Sequence, residues 1–335
     1  MKKKKDLAQH NRLKRAKSRK NDEYYTPYWE IERELEKYAE RNIFKGKNIF
    51  LNCDDWKTSD FYKYFVDNFN RFGLKKLISM GYVERHDLDI GKKADKRTVW
   101  KKNGKLHFKT EHPKETGGFE TYESKKVIEE EKIDIIVTNP PFTLVKEQWF
   151  ELMMEYPNVE FIFIAGLTTL GYVKYLKLWE NKRIQPSFNV GNFSNTLTFK
   201  VPLIYIREKE KKDPHTKFTP DGKYLFRTVA SLWFTTFKVP YVKAPCKYSR
   251  LYDVPHSYLN ERSKSGNIVA YLYFLRDLPC NYKGELCVPI TYLSHPRPDL
   301  FKVKEIVTSS SGYTYYNEIK EEVKGVFSRP IIQRI

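Results

Sequence analysis

The chain has 335 residues, 40% of them hydrophobic and 16% aromatic, which is enough to bury the core of one large domain and a smaller one. Lysine and arginine number 61 against 42 aspartate and glutamate, and the formal net charge of +19 favours a polyanionic partner over simple solubility. No apolar run approaches the ~20 residues of a membrane span, and the basic N-terminus lacks the apolar segment of a secretory signal, so we expect a cytoplasmic protein with no membrane partner.

The first 20 residues carry ten lysines and arginines against one aspartate. This composition predicts an arm that is disordered when free and lies along phosphates when bound, although a targeting or solubilising tail has the same composition. After the arm, Ile31, Leu35 and Tyr38 recur at helical spacing and predict an amphipathic helix.

A predicted strand-helix-strand unit follows. Residues 47–51 form an apolar run that ends in Asn52-Cys53-Asp54-Asp55, a helix with an aromatic face runs up to Gly73, and a second apolar run ends at Glu84. Polar and acidic residues therefore follow both strands, which is where ligands bind in open α/β sheets. No glycine-rich phosphate-binding loop is present, which argues against a dinucleotide or nucleotide-phosphate site.

The polar stretch from 85 to 117 predicts a small hairpin around Asn103-Gly104, and we interpret the stretch as an insertion near the polyanionic partner rather than as core. A charged helix at 120–132 then leads to residues 133–137, an apolar and mostly β-branched strand. That strand runs directly into Asn139-Pro140-Pro141-Phe142.

This corner favours one chemistry. Two consecutive prolines fix φ and remove two backbone donors, so the sheet cannot continue and the Asn139 side chain is left at the strand end. The Asn139 side-chain oxygen and the Pro140 carbonyl would accept both hydrogens of a planar amine on a nucleobase, which localises its lone pair for in-line attack on a methyl donor. Phe142 would stack on the base. A plain turn that closes a core strand is the alternative interpretation.

Beyond this corner, a helix at 146–156 and a strand at 159–167 continue the alternation, which predicts a doubly wound, mainly parallel sheet. Later strands are expected at 192–200, 203–207 and 231–240. From 241 to 264 basic residues alternate with tyrosines, a pattern that suits phosphate contacts and base stacking as well as an ordinary surface.

The four cysteines form no CxxC pair and do not cluster with the seven histidines, so we expect neither a metal site nor a disulfide framework.

Several segments follow one another in the order found in a known family, from Asn21 to about Phe301. They are NDEYYTPYWEIERELEKY, NCDDWKTSDFYKYFVDNFNRFGLKKLISMGYVE, DIIVTNPPF, SLWFTT and DLPCNYKGELCVPITYL. With these segments the chain resembles the EcoRI-type adenine-specific DNA methyltransferases of restriction-modification systems. NPPF is shared by many amino-methyltransferases, whereas the NCDD block with its FYKYF helix is far more specific.

The resemblance implies a Rossmann-like α/β fold that binds S-adenosylmethionine, with a mainly parallel sheet and a C-terminal DNA-recognition region. It implies that Tyr25, Thr26 and Pro27 contact the cofactor. The first-strand cofactor loop would consist of Asn52, Cys53, Asp54 and Asp55, and Glu84 would accept hydrogen bonds from the ribose hydroxyls.

For the catalytic loop the resemblance implies Asn139, Pro140, Pro141 and Phe142, in agreement with the chemistry of the corner itself. Related enzymes often carry a Gly-Asp before the catalytic strand, whereas this chain has Gly117-Gly118-Phe119-Glu120. Glu120 is the candidate substitute.

We therefore expect a basic arm at 1–20, a methyltransferase domain at 21–240 with the insertion at 85–117, and a target-recognition region at 241–335 partly packed back on it. The expected reaction is N6-methylation of a flipped-out adenine in double-stranded DNA, without a metal, by the modification enzyme of a restriction-modification system. A monomer would suffice, and a cognate endonuclease is not expected as a stable partner. The alternatives are methylation of N4-cytosine, RNA or protein glutamine, and a non-catalytic DNA-binding relative.

Overall fold

The computed structural model describes residues 24–83, 91, 93–189, 195–203, 206, 208–212, 216–240, 243–244, 246, 258–260, 269–272, 274–297, 299–307, 314–316, 322–324 and 329–335. The basic arm and Glu84 lie outside these residues. The chain divides into two compact units, Met1–Thr169 with Arg183–Lys238, and Leu170–Lys182 with Val239–Ile335. In the part of the chain that the structure describes, no helix has the length and apolar character needed to cross a membrane.

The elements are given in chain order. The helices are α1 (Tyr28–Ala39), α2 (Asp60–Asp67), α3 (Phe69–Phe72), α4 (Tyr122–Glu130), α5 (Phe142–Leu144), α6 (Phe150–Glu155), α7 (Val173–Glu180) and α8 (Glu208–Lys211), with a π-helical turn at Val145–Trp149 between α5 and α6. The strands of the first unit are β1 (Asn48–Leu51), β2 (Lys76–Met80), β3 (Lys96–Lys102), β4 (Lys105–Glu111), β5 (Ile135–Thr138), β6 (Glu160–Gly166), β7 (Gln185–Pro186), β8 (Thr196–Pro202) and β9 (Tyr224–Thr235).

The strands of the first unit form one sheet in the order β4-β3-β2-β1-β5-β6-β9-β7, with β8 paired to β9. Its centre, β2-β1-β5-β6, is parallel, and the flanking pairs are antiparallel. The predicted α/β fold class is confirmed, and the sheet as a whole is mixed, since the parallel pairing is confined to its centre. The chain passes from β1 outward to β2 and returns to β5 on the other side of β1, so the topological switch point lies between β1 and β5.

The central strands are apolar because the sheet buries them on both faces. All four residues of β1 and all four of β5 are buried, as are the five residues from Phe161 to Ala165 in β6. These are three of the apolar runs that the sequence predicts as strands. The strand expected at 203–207 is not formed by its described members, Leu203 and Ile206, because β8 ends at Pro202.

The helices next to β1 also follow the sequence pattern. Ile31, Leu35 and Tyr38 of α1 are fully buried, as the helical spacing predicts. The Ser59 side chain caps α2 by accepting hydrogen bonds from the backbone N–H groups of its first turn. Gly73 ends α3 with a left-handed φ of 63°, a conformation that glycine adopts without strain.

The predicted hairpin around Asn103-Gly104 is present as β3 and β4, but it belongs to the sheet, contrary to the expectation of an insertion outside the core. Strand β3 pairs antiparallel with β2, and Val99 is fully buried. Met80 pairs with Lys96 and Lys76 pairs with Trp100, so the hairpin turn lies at the edge of the sheet opposite the carboxyl ends of the parallel strands. The sequence did not indicate this because lysines and arginine flank the two buried residues of β3, Thr98 and Val99.

Gly117 lies where the fold leaves no space for a side chain, so its substitution should destabilise the protein. Its φ is +75°, and a Cβ atom there would lie 2.3 Å from the Gly81 carbonyl oxygen. We expect Gly117→Ala to lower the free energy of unfolding by about 3 kcal/mol, from left-handed strain plus overpacking. Gly104→Ala is the matched control, because Gly104 has a φ of +78° but no atom within 4 Å of its added Cβ. Urea unfolding would contradict this account if both variants lost equal stability.

The second unit contains a five-stranded sheet in the order β10-β11-β12-β16-β13 and a separate hairpin. Its strands are β10 (Tyr258–Asn260), β11 (Val269–Tyr271), β12 (Glu285–Cys287), β13 (Phe301–Val307), β14 (Thr314–Tyr316), β15 (Glu322–Lys324) and β16 (Arg329–Arg334). A disulfide joins Cys246 to Cys280, 34 residues apart. The expectation of no disulfide bond was wrong, because the fold brings the two Cα atoms to 5.3 Å although the cysteines share no recognisable spacing motif.

Candidate active site

A cavity of about 380 Å³ opens at the carboxyl ends of β1 and β5, at the switch point of the sheet. Its wall contains the segment before α1, the loop after β1, the start of α2 and the loop after β5. The lining residues are Tyr24, Tyr25, Thr26, Asn52, Cys53, Asp54, Asp55, Thr58, Ser59, Asp60, Phe61, Tyr82, Gly118, Phe119, Glu120, Asn139, Pro141 and Leu144.

Most of the residues singled out in the sequence meet in this cavity. Tyr25, Thr26, Asn139, Pro141 and the four residues of the NCDD loop line it. Pro27, Pro140 and Phe142 lie next to lining residues in the chain but are not themselves part of the wall, and Glu84 lies outside the described residues. Sequence reasoning alone did not connect the segment before α1 with the Asn-Pro-Pro-Phe corner.

The orientation of the Asn139 side chain follows from its hydrogen bond. Its Nδ2 donates to the Tyr24 carbonyl oxygen at 2.7 Å. A carbonyl can only accept, so the amide must turn its nitrogen towards Tyr24 and its oxygen away from it. The Asn139 Oδ1 atom is buried and has no hydrogen-bond partner among the described residues. The site therefore presents one unsatisfied acceptor, and a ligand N–H would satisfy it.

Three aromatic rings, those of Tyr24, Phe142 and Phe199, pack against one another. The ring centroids of Tyr24 and Phe142 are 5.8 Å apart, and those of Tyr24 and Phe199 are 5.3 Å apart. Phe142 and Phe199 meet edge to face at 6.1 Å. Such contacts hold the rings in place, and Phe142 remains partly exposed, so it offers a surface on which a planar ring can stack. Tyr24 and Phe199 were not singled out in the sequence, although Tyr24 lies in the family segment directly before Tyr25.

The segment before α1 is tied to strand β8. Tyr25 and Lys200 exchange two backbone hydrogen bonds, of 3.0 and 2.8 Å. The Lys200 ammonium also pairs with Asp60 at 2.6 Å, and the Asp60 carboxylate accepts a bond from the Tyr28 backbone N–H. These contacts fix the segment from Tyr24 to Tyr28 over the cavity and so position the carbonyl that orients Asn139.

Two further polar atoms on the cavity wall are buried without a partner among the described residues. They are the Asn52 amide nitrogen and the Thr26 hydroxyl oxygen. Asn52 is fully buried, and its side-chain oxygen accepts a weak bond from the Cys53 thiol at 3.7 Å. Because buried polar groups are normally paired, a polar ligand in this part of the cavity would satisfy Asn52 and Thr26.

Asp54 connects three parts of the site. Its carboxylate accepts hydrogen bonds from the Ser59 hydroxyl at 2.6 Å and from the Thr138 hydroxyl at 2.9 Å, and its backbone carbonyl accepts one from Ser79. It thereby links the loop after β1 to the cap of α2 and to the last residues of β5 and β2. Both of its carboxylate oxygens already have partners within the chain, unlike the free atoms of Asn52 and Thr26.

Burial raises the pKa of the Asp54 carboxyl to about 6, although the Ser59 and Thr138 hydrogen bonds act in the opposite direction. An unfolded aspartate has a pKa of about 3.9, so between about pH 4 and pH 6 the folded chain binds more protons than the unfolded one. Stability from this group is therefore present below pH 4 and is lost as the pH rises to 6. We expect Asp54→Asn to remove this component, about 2 kcal/mol, from the difference between unfolding free energies at pH 4.5 and pH 7.5. Identical pH dependence in both proteins would contradict the assignment.

Glu120 adds a second, half-buried carboxyl to the wall. Burial raises its pKa, and the charge of Glu115 acts in the same direction. A Cβ atom on Gly118 would lie 2.6 Å from both oxygens of the Glu120 carboxylate. The glycine at 118 therefore lets this carboxyl fold back against the backbone of the loop.

The fold and the site together define a class of protein. A parallel α/β centre carries a cavity at its switch point, the cavity is walled by polar strand ends, and an Asn-Pro-Pro-aromatic loop presents a free acceptor beside a stacking surface. This combination defines an amino-methyltransferase.

Comparison with known proteins identifies the family. The family model described as adenine-specific methyltransferase EcoRI matches residues 12–330, so the chain belongs to this family of adenine-specific methyltransferases. It is 31% identical to the Type II methyltransferase M.EcoRI of Escherichia coli, over 87% of each chain. It is 28% identical to M.MgeORF184P of Mycoplasma genitalium, over 88% of this chain and 86% of the relative.

A third relative is the Type II methyltransferase M.MpnI of Mycoplasma pneumoniae, which is 26% identical over 86% of this chain and 83% of the relative. No solved structure matches. The predicted recognition, enzyme class and fold class are confirmed, and the relatives are Type II methyltransferases, as expected of a modification enzyme.

Proposed function

We propose that the protein transfers a methyl group from S-adenosylmethionine to the N6 amine of an adenine that has been flipped out of double-stranded DNA. The observation that carries this proposal is the Asn139 Oδ1 atom, which is oriented away from Tyr24 and has no partner among the described residues. An amine N–H is the group that this atom would accept.

The chain's part in the reaction is to hold and orient the amine. Asn139 Oδ1 and the Pro140 carbonyl accept its two hydrogens, which turns the nitrogen lone pair towards the donor, while Phe142 stacks on the ring. When bound, the cofactor would supply an electrophilic methyl on a sulfonium sulfur. The amine nitrogen would form its bond to the methyl as the bond from sulfur to methyl broke, and the extra proton on nitrogen would then pass to water. No metal and no covalent intermediate are required.

The cofactor site that we propose consists of Tyr25, Thr26 and Pro27, the loop Asn52-Cys53-Asp54-Asp55, and Glu84. The free Asn52 nitrogen and Thr26 hydroxyl support it, because both are buried polar atoms that a ligand would satisfy. The cavity also has a size typical of small-ligand sites. Asp54 would serve this site by positioning the loop through Thr138 and Ser59. Glu120 would take the place of the acid that relatives carry before the catalytic strand.

For the DNA we propose three contacts: the basic arm at 1–20, the catalytic cavity, and a target-recognition region at 241–335. The net charge of +19 supports a polyanionic substrate.

The protein would act as a monomer, and a cognate endonuclease would not bind it stably. The family's adenine specificity favours this reaction over methylation of cytosine, RNA or protein glutamine.

Thermal unfolding with S-adenosylmethionine separates an active enzyme from a non-catalytic DNA-binding relative. A ligand at about 100 times its Kd stabilises the native state by roughly 2.7 kcal/mol, so a clear rise in Tm is expected. An unchanged Tm across millimolar cofactor would contradict the proposed site. Competition between unlabelled DNA, RNA and protein for methyl transfer then distinguishes the substrate class, and only DNA should compete.

A further inference from the structure

A row of lysines lies at the edge of the sheet opposite the active site. They come from four neighbouring strands or from the turns that lead into them: Lys45, Lys75, Lys101, Lys102 and Lys105. All five are exposed, and none of their ammonium groups has an ion-pair or hydrogen-bond partner among the described residues. We call this set the lysine edge.

The sheet topology places these lysines together. Lys75 immediately precedes β2, and its backbone N–H donates to the Lys47 carbonyl just before β1. Lys102 and Lys105 pair directly across the turn of the β3-β4 hairpin. Since neighbouring strands are about 4.8 Å apart, four strands spread the charges over about 15 Å. Like charges opposite each other on paired strands are destabilising, and a bound anion would relieve that repulsion.

Other lysines close to this edge are neutralised within the chain. Lys47 pairs with Asp134 at 3.0 Å, and Lys76 pairs with Glu131 at 2.5 Å. Asp134 and Glu131 are therefore already engaged, whereas none of the five lysines of the lysine edge has an ion-pair partner among the described residues. Lysines also protect edge strands from aggregation, but that role concerns β4 and does not account for Lys45 and Lys75, which lie beside the interior strands β1 and β2.

The lysine edge is separate from the active site. The cavity lies at the carboxyl ends of the parallel strands, and the lysine edge lies beyond their amino ends. The intervening strands are about 13 Å long, which exceeds the Debye length of about 8 Å at physiological salt. DNA phosphates held at the cavity would therefore be screened from the lysine edge.

We propose that the lysine edge binds the phosphate backbone of a second DNA segment, without sequence preference, while a first segment occupies the catalytic face. A row of about 15 Å spans several phosphates of a duplex, and each contact releases counterions. The protein would thus bridge two segments and pass between them while it searches for its target. This proposal goes beyond the methyl transfer itself.

The test is a bridging assay without methyl donor. The protein binds a biotinylated 30-base-pair duplex on beads, and capture of a labelled duplex of unrelated sequence is measured against salt. We expect wild type to capture it and K101E/K105E to capture about tenfold less, with the slope of log affinity against log salt about 1.8 smaller. Glutamate keeps the edge charged, so protection from aggregation is preserved, and K101Q/K105Q should show a smaller loss in the same direction.

The matched control is K212E/K217E, which reverses two exposed lysines outside the lysine edge that also have no ion-pair partner among the described residues, and it should bridge within about twofold of wild type. Methylation of plasmid DNA at saturating protein should be the same for all variants. The proposal is overturned if wild type holds only one duplex, if K101E/K105E bridges like wild type, or if K101E/K105E loses methylation together with bridging. Bridging is measured without methyl donor, so it can be read even if wild type proves inactive.

Discussion

Asn139→Ala is expected to reduce methyl transfer at least about 100-fold while leaving the affinity for S-adenosylmethionine unchanged. Alanine removes the buried Oδ1 acceptor that has no partner within the described chain, and with it the group that would hold the target amine. The change also removes the bond from Nδ2 to the Tyr24 carbonyl, which orients the amide. Single-turnover methylation at saturating cofactor, with cofactor affinity from calorimetry, measures the two effects separately.

Two controls sharpen this prediction. Asn70→Ala makes the same chemical change at an exposed position outside the cavity and should leave activity unchanged. Asn139→Asp keeps one acceptor oxygen but loses the donor to Tyr24, so its activity should lie between those of wild type and the alanine variant. Turnover of Asn139→Ala at the wild-type rate would remove Asn139 from the mechanism.

Asn52→Asp is expected to show the opposite pattern, with cofactor affinity weakened about 100-fold. Asn52 lines the cavity, its amide nitrogen is a buried donor without a partner among the described residues, and hydrogen bonds to charged ligand groups contribute about 1.5–3 kcal/mol each. The aspartate removes that donor and places a further acid beside Asp54 and Asp55. Calorimetric titration with S-adenosylmethionine measures the loss directly.

Asn70→Asp is the matched control, because it makes the same substitution on the exposed side of α3. Its cofactor affinity should equal that of wild type. If Asn52→Asp bound the cofactor with wild-type affinity while remaining folded, the Asn52 amide nitrogen would not contact the cofactor. The proposed cofactor loop would then be wrong. Together, Asn139→Ala and Asn52→Asp separate chemistry from cofactor binding within one cavity.

The parts of the fold that could be predicted are those encoded by local patterns. The apolar runs of β1, β5 and β6 are buried strands because their residues have to fill both faces of the parallel centre. The hairpin turn at Asn103-Gly104 could also be predicted from local sequence. The position of the hairpin in the sheet could not, because the pairing of β3 with β2 depends on a register that no short stretch encodes.

The candidate site also has one part that local sequence predicts and another that depends on contacts between distant residues. The Asn-Pro-Pro-Phe corner suggests its own chemistry, since the prolines and the amide stand in one stretch. What orients the amide is a backbone carbonyl 115 residues away, and a backbone atom leaves no signature in the sequence. Lys200 and Asp60, 140 residues apart, were likewise undetectable as a pair. The linking role of Asp54 became visible only when Thr138 and Ser59 were placed against it.

The central claim is that this cavity methylates the N6 amine of adenine in DNA, and one measurement tests it most directly. Tritium transfer from labelled S-adenosylmethionine into unmethylated bacterial genomic DNA should be followed by chromatography of the digested nucleosides and by single-molecule mapping of the modified positions. The account predicts that the label is recovered as N6-methyladenine at one short sequence motif. Label in another nucleoside, or no label despite demonstrated cofactor binding, would contradict it.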